Sequence, residues 1–154
     1  MMVYRLSRGK YKYDLSGKGA EMAGGRWNSK GVAMLYTSES IALCAVEIAV
    51  HMPLGIVPAD YYLIKIQLPQ DVAMKEHPLE KLPADWKSFP HANETQEIGD
   101  AFVLENEFLA MKVPSATVQG TYNYLINPNH KDFRAITIVE AVPFTFDKRL
   151  FVKE

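Results

Sequence analysis

Between Tyr61 and Leu68 apolar and polar side chains alternate. Tyr62, Ile64, Ile66 and Leu68 fall on one face and Lys65 and Gln67 on the other, the period of a half-buried strand. Val32–Thr37 has little polar content and predicts a central strand, while Val3–Ser7 reads as a short first strand. The run Ile41–Val50 is apolar almost all round. It predicts a helix reaching about His51 and ending before Pro53, with Ser38 as its cap and Glu39 in its first turn. A second helix is expected from Asn93 or Thr95, with Ile98, Phe102 and Leu109 on its buried side. Met111–Val118 reads as extended, Tyr122–His130 as a short helical turn closed by Asn-Pro, Phe133–Glu140 as a strand and Phe144–Val152 as another. Gly9, Gly17, Gly19, Gly24 and Gly25 break residues 8–30 into loop. Residues 69–92, rich in proline and charge, form an irregular excursion carrying Trp86. The sum is an α+β single domain over residues 1–154, with five to seven short strands in a mixed or antiparallel arrangement and two main helices.

Composition narrows the class. At 154 residues and 48% hydrophobic, the chain can bury roughly two-thirds of its unfolded surface as one packed globule. No apolar run approaches the ~18 residues that span a bilayer, and the first residues lack the apolar core of a signal peptide. A single cysteine excludes an internal disulfide framework and fits a reducing, cytoplasmic setting. The net charge of −1 hides an asymmetry. Residues 1–31 carry seven basic side chains against Asp14 and Glu21, whereas residues 71–107 carry nine acidic ones against Lys75, Lys81 and Lys87. A basic, glycine-rich first segment suits an anionic small ligand. Nucleic acid asks for a larger positive excess, and scattered lysines can equally be a solvated surface.

Several familiar motifs fail. Gly17-Lys-Gly19 begins like a dinucleotide fingerprint, but Met22 stands where the third glycine belongs and no helix is expected to open there. Neither a Walker A loop nor a Gly-x-Ser-x-Gly elbow is present. His51, His77, His91 and His130 show no ligand spacing, so no metal is expected. Cys44, inside the apolar helix, reads as core filler.

Glu47 is the only charged residue in its apolar run. A carboxylate there must be paired, hydrogen-bonded or put to use. Cleavage of an N-glycosidic bond needs a carboxylate near a ribose that is acquiring positive charge. It also needs a forked cation for a diphosphate, which arginine supplies and lysine does not. An aromatic face can stack on the leaving base, and a small hydroxyl can fix a carboxamide or ribose oxygen. Arg26, Tyr36, Glu47 and Ser115 are the residues that fit these roles, provided the fold gathers them. Each also has a structural reading. Arg26 can cap a helix or pair with an acid, Tyr36 can be core, Glu47 can be a buried ion-pair partner, and Ser115 after Pro114 can be a turn residue.

Taken in order, Gly24-Gly-Arg-Trp-Asn28, Tyr36 in Leu-Tyr-Thr-Ser, Glu47 in Ala-Val-Glu-Ile, Val113-Pro-Ser-Ala116 and Asn123-Tyr-Leu-Ile-Asn-Pro-Asn-His130 resemble the RES domain family. The likeness runs from Tyr4 to Phe151. It implies a fold like that of ADP-ribosyltransferases and a toxin of a bacterial type II toxin–antitoxin pair. Such toxins degrade NAD+ as a substrate, with no cofactor, by hydrolysis or phosphorolysis, and some relatives attach ADP-ribose to a protein. By position Arg26, Glu47 and Ser115 carry over as catalytic residues, and Arg26, Tyr36, Glu47 and Ser115 as the nucleotide-binding set. Asn127 and His130 are assigned to shaping the site. The implied partner is an Xre-like helix-turn-helix antitoxin that covers the site and supplies any contact with DNA, with a toxin dimer expected inside the complex. Neither end of the sequence reads as an inhibitory segment, so inhibition is expected in trans. A non-enzymatic nucleotide-binding module is the alternative.

Overall fold

The computed structural model of the chain describes residues 1–153. Seven strands form one sheet: β1 (Met2–Arg8), β2 (Leu35–Ser38), β3 (Tyr61–Gln67), β4 (Met74–Glu76), β5 (Ala110–Pro114), β6 (Tyr122–Ile126) and β7 (Thr137–Phe144), in the order β4-β5-β6-β2-β1-β3-β7. All neighbours are antiparallel except β4 and β5. Three helices accompany the sheet: α1 (Lys18–Ala23), α2 (Ile41–His51) and α3 (Asn93–Glu105).

The strand registers decide which side chains share a face. Directly opposed residues point the same way. Met111 faces Leu125, Leu125 faces Tyr36, Ser38 faces Tyr4, and Leu6 faces Leu63. These residues therefore line one side of the sheet. Over the β5–β6 part of that side, Met111, Val113 and Leu125 pack with Phe102 and Val103 of α3 and with Trp27 and Trp86. Over the β1–β3 part, Leu6 and Leu63 pack with Cys44 of α2 and with Phe146 and Phe151. The opposite side buries Val3, Leu35, Ile64, Ile66 and Ile126. Two helices thus divide one face between them, and the gap left over the central strands holds the site.

Several local expectations need correction. The cap of α2 is Ser40, whose side chain accepts from Leu43 N; Ser38 ends β2 instead. Only Leu43 and Cys44 of α2 are buried, because the helix turns one side to the sheet and leaves the other, with Val50, exposed. Tyr122–Ile126 is a strand paired with both β2 and β5 and not a helical turn, and the Asn127-Pro128 signal is met only by the turn that follows the strand. The last strand starts at Thr137, after a 3-10 turn over Lys131–Ala135, and runs to Phe144. No strand follows within Phe144–Val152, where Phe146 and Phe151 plug the core from irregular chain. A short helix does open at Lys18, although Gly17–Gly19 still lacks the third glycine of a dinucleotide loop. The excursion 69–92 contains the edge strand β4, and Trp86 within it is buried. Leu109 is fully buried but lies beyond the end of α3. Among the described residues, no helix is long and apolar enough to cross a membrane.

Candidate functional site

A cleft of about 850 Å³ opens between the helices, lined among others by Arg26, Tyr36, Glu47, His51, His91 and Asn123. Its size is that of a pocket for a cofactor-sized ligand. Glu47 enters it from the second turn of α2, with its carboxylate over the ends of β2 and β6. Three neutral donors hold that carboxylate. Ser115 Oγ donates to Oε1 at 3.2 Å, while Asn123 Nδ2 and Ser38 Oγ reach Oε2 at 3.2 and 3.4 Å. Ser38 and Asn123 are directly paired across β2 and β6, so the sheet register itself builds the cradle. No cation is ion-paired with Glu47 among the described residues. Burial, the dominant effect, raises its pKa above the ordinary carboxylate value, and the three hydrogen bonds and nearby His51 pull it back only in part.

Arg26 sits on the loop between α1 and β2. One guanidinium nitrogen, Nη1, donates to the carbonyls of Trp86 and Ser88 at 2.7 and 3.0 Å. The otherwise irregular 69–92 excursion therefore has a use: it positions the arginine. Arg26 caps no helix and pairs with no acid among the described residues. Desolvation lowers its pKa, and the nearby Glu47 carboxylate opposes that shift by Coulomb attraction.

Tyr36 ties the arginine loop to the sheet. Its hydroxyl donates to Asn28 Oδ1 at 2.6 Å and accepts from Trp27 N at 3.1 Å. Burial raises its pKa, so the phenol stays protonated. Asn28 is fully buried, and its Nδ2 donates to the carbonyls of Ala20, Ser29 and Val32. Gly25 is required at the contact, because a Cβ there would lie 2.8 Å from the Tyr36 hydroxyl oxygen. From the other side α3 clamps the loop. Gln96 Nε2 donates to Gly25 O, and Asp100 accepts from both the backbone and the hydroxyl of Ser29. Trp27 is 3% exposed and packs against Trp86 with ring centroids 6.3 Å apart, as a packing residue should.

The four residues singled out in the sequence are thus brought together around one carboxylate, with different placements. Arg26, Tyr36 and Glu47 line the cleft. Ser115 lies behind Glu47, only 2% exposed, and its oxygen also accepts from the backbone N–H groups of Thr117 and Val118. Asn127 and His130 are remote from the lining. Asn127 Nδ2 donates to Asn106 Oδ1 at the end of α3, and His130 Nδ1 accepts from Asp132 N. They fix the scaffold around α3. Sequence reasoning missed Asn123, Ser38, His51 and His91 as cleft or cradle residues. Asn123 had a signal, an amide in an apolar strand; the two histidines had none. Cys44 is buried beside the site with its thiol pKa pushed up to about 12 by desolvation, which keeps it a neutral core group. No group of three or more metal-ligating side chains gathers among the described residues.

A single mixed sheet with a polar cleft between two helices, holding a carboxylate without an ion-pair partner among the described residues and an anchored arginine, defines a small α+β domain. The RES domain family model matches residues 2–147, and the chain belongs to that family. It is 34% identical over 152 residues to "Toxin Res" of Yersinia enterocolitica, covering 97% of this chain and 99% of that one. It is likewise 34% identical over 142 residues to the "Prs ADP-ribosylating toxin" of Sphingobium, covering 91% and 88%. Its fold is similar to a chain of the Mycobacterium tuberculosis MbcT–MbcA toxin–antitoxin complex, with a TM-score of 0.72, 21% identity, and coverage of 94% of this chain and 84% of that chain.

Proposed function

We propose that this protein is the toxin of a toxin–antitoxin pair and that it cleaves NAD+ at the bond between nicotinamide and ribose. The observation that carries this reading is the state of Glu47: a carboxylate facing a nucleotide-sized cleft, held by three neutral donors and no cation. A structural carboxylate in such a place would be neutralised by a basic partner. One left unpaired can face a cationic centre that appears only during reaction.

In the proposed reaction the C1′–N bond breaks, its electron pair leaves with nicotinamide, and the ribose becomes oxocarbenium-like. Glu47 stabilises that charge. Arg26 binds diphosphate oxygens, and Ser115 and Asn123 aim the carboxylate. Water, losing a proton to solvent, or phosphate then bonds to that same carbon (C1″ in ADP-ribose numbering), completing hydrolysis or phosphorolysis. Incubating purified protein with NAD+, with and without phosphate, and identifying the products tests this directly. Free nicotinamide with ADP-ribose or its 1″-phosphate is the expected outcome; intact NAD+ overturns it. The name of the Sphingobium relative favours a second reading, transfer of ADP-ribose to a protein side chain, which labelled NAD+ and a cell lysate would reveal as protein-bound label. The complex that holds the structural neighbour supports an antitoxin as partner. We assign that role to an Xre-like DNA-binding protein that covers the cleft.

A further inference from the structure

The cleft that holds Glu47 and its cradle also holds three basic side chains. Arg26, His51 and His91 all line it, from the α1–β2 loop, the last residue of α2 and the segment before α3. The Nδ1 of His91 is buried without a hydrogen-bond partner, and its ring meets Phe89 edge-on at 5.4 Å. A buried ring nitrogen without a partner is costly and does not secure the fold. Arg26 and His51 lie close enough to add to the burial that keeps the His91 pKa below its ordinary value. Burial and the Arg26 charge favour the neutral imidazole of His91, which keeps one N–H to donate to an anion held by Arg26.

We propose that His91 is a phosphoryl-binding residue, which with Arg26 takes an anionic phosphate group of the cleft's ligand. The proposal rests on the reading of the cleft as a nucleotide site and adds to it a residue that the family resemblance does not assign. Two sources share this chemistry, the diphosphate of the dinucleotide and free phosphate acting as acceptor. His91→Phe keeps the ring and its contact with Phe89 while removing both nitrogens. His91→Asn, smaller and polar, repeats the measurement should the Phe variant fail to fold.

Titration calorimetry of wild type and variants with ADP-ribose, and separately with inorganic phosphate, tests the proposal, with melting temperature recorded alongside. A hydrogen bond to a charged group predicts affinity weakened by about tenfold or more for the ligand that His91 holds. Loss confined to ADP-ribose identifies the diphosphate. Loss of phosphate binding, with or without loss of ADP-ribose, identifies a site that free phosphate can occupy. Unchanged affinity for both ligands in the variants, or no binding of either by wild type, overturns the proposal. Phosphate bound through His91 by a protein that leaves NAD+ intact would sustain the anion site and remove the proposed function. NAD+ cleavage unaffected by these variants, with unchanged ligand affinities, would do the reverse.

Discussion

Glu47 is a carboxylate whose burial raises its pKa, and the sign of that shift has consequences for both stability and activity. A carboxyl with a folded pKa above its unfolded value contributes stability below the unfolded value, and this contribution fades as pH rises through the folded one. Above the ordinary carboxylate value of 4.5 the ionised group therefore costs stability. Glu47→Gln should raise the melting temperature at neutral pH and lose that advantage in acid. The same substitution removes the charge facing the oxocarbenium ion, so NAD+ turnover should fall by ~100-fold or more. Wild-type turnover should itself decline on the acid side from above pH 4.5, as the carboxylate protonates. A Gln variant with near-normal turnover would make Glu47 structural. Arg26→Lys should weaken NAD+ binding strongly while the fold persists. An ammonium keeps the charge but cannot anchor on Trp86 O and Ser88 O while offering a planar fork. Equal NAD+ affinity in the two proteins would take the arginine out of the site.

The elements matter through the way α3 grips the arginine loop. A Cβ on Gly99 would lie 1.5 Å from the Trp27 carbonyl oxygen, a backbone atom that cannot swing away. Gly99→Ala should force α3 and the loop apart, at a cost on the order of 1–3 kcal/mol or more. The same shift loosens Gln96 from Gly25 and Asp100 from Ser29. Thermal unfolding should report the loss of stability, and NAD+ binding should weaken although the substituted residue never touches ligand. A variant with wild-type melting and binding would show that the clamp is dispensable. In the sheet, the pairing of Ser38 with Asn123 performs the equivalent task for Glu47, and Ser115 adds the third donor from the chain leaving β5.

At the scale of the whole molecule, the proposed NAD+ cleavage calls for a partner that restrains it. Expression of the chain alone should stall growth and lower cellular NAD+, and Glu47→Gln should abolish both effects. Unchanged growth and NAD+ at high expression of the wild type would favour the binding-module alternative. Co-expression with the proposed antitoxin should restore growth through a complex that occupies the cleft. Arg26 in the cleft should make association with a carboxylate-bearing partner salt-sensitive, so that added salt slows association more than it speeds dissociation.

Hydrophobic periodicity, with cap and proline signals, determined that the chain is an α+β domain with a central strand near Tyr36, a clean strand at Tyr61–Leu68, and helices from Ile41 and from Asn93 or Thr95. Those signals are local and repeat over many residues. A lone carboxylate in an apolar helix also marked Glu47 as a residue needing an explanation. Three-dimensional structure decided the rest, because the remaining forces act between residues far apart in the chain. Tyr122–Ile126 became a strand through pairing on both edges, and the turn signalled by Asn127-Pro128 comes only after it. Ser38 was freed from capping because Ser40 takes the helix N-terminus, and it turned to Glu47 instead. The excursion that carried no readable pattern supplies the two carbonyls that anchor Arg26, sixty and sixty-two residues away in sequence. Asn123 and His91 join the cleft only because strand register and the approach to α3 bring them there. Sequence patterns record which faces must be buried, whereas which polar groups meet in the gap between two helices is settled when those faces pack.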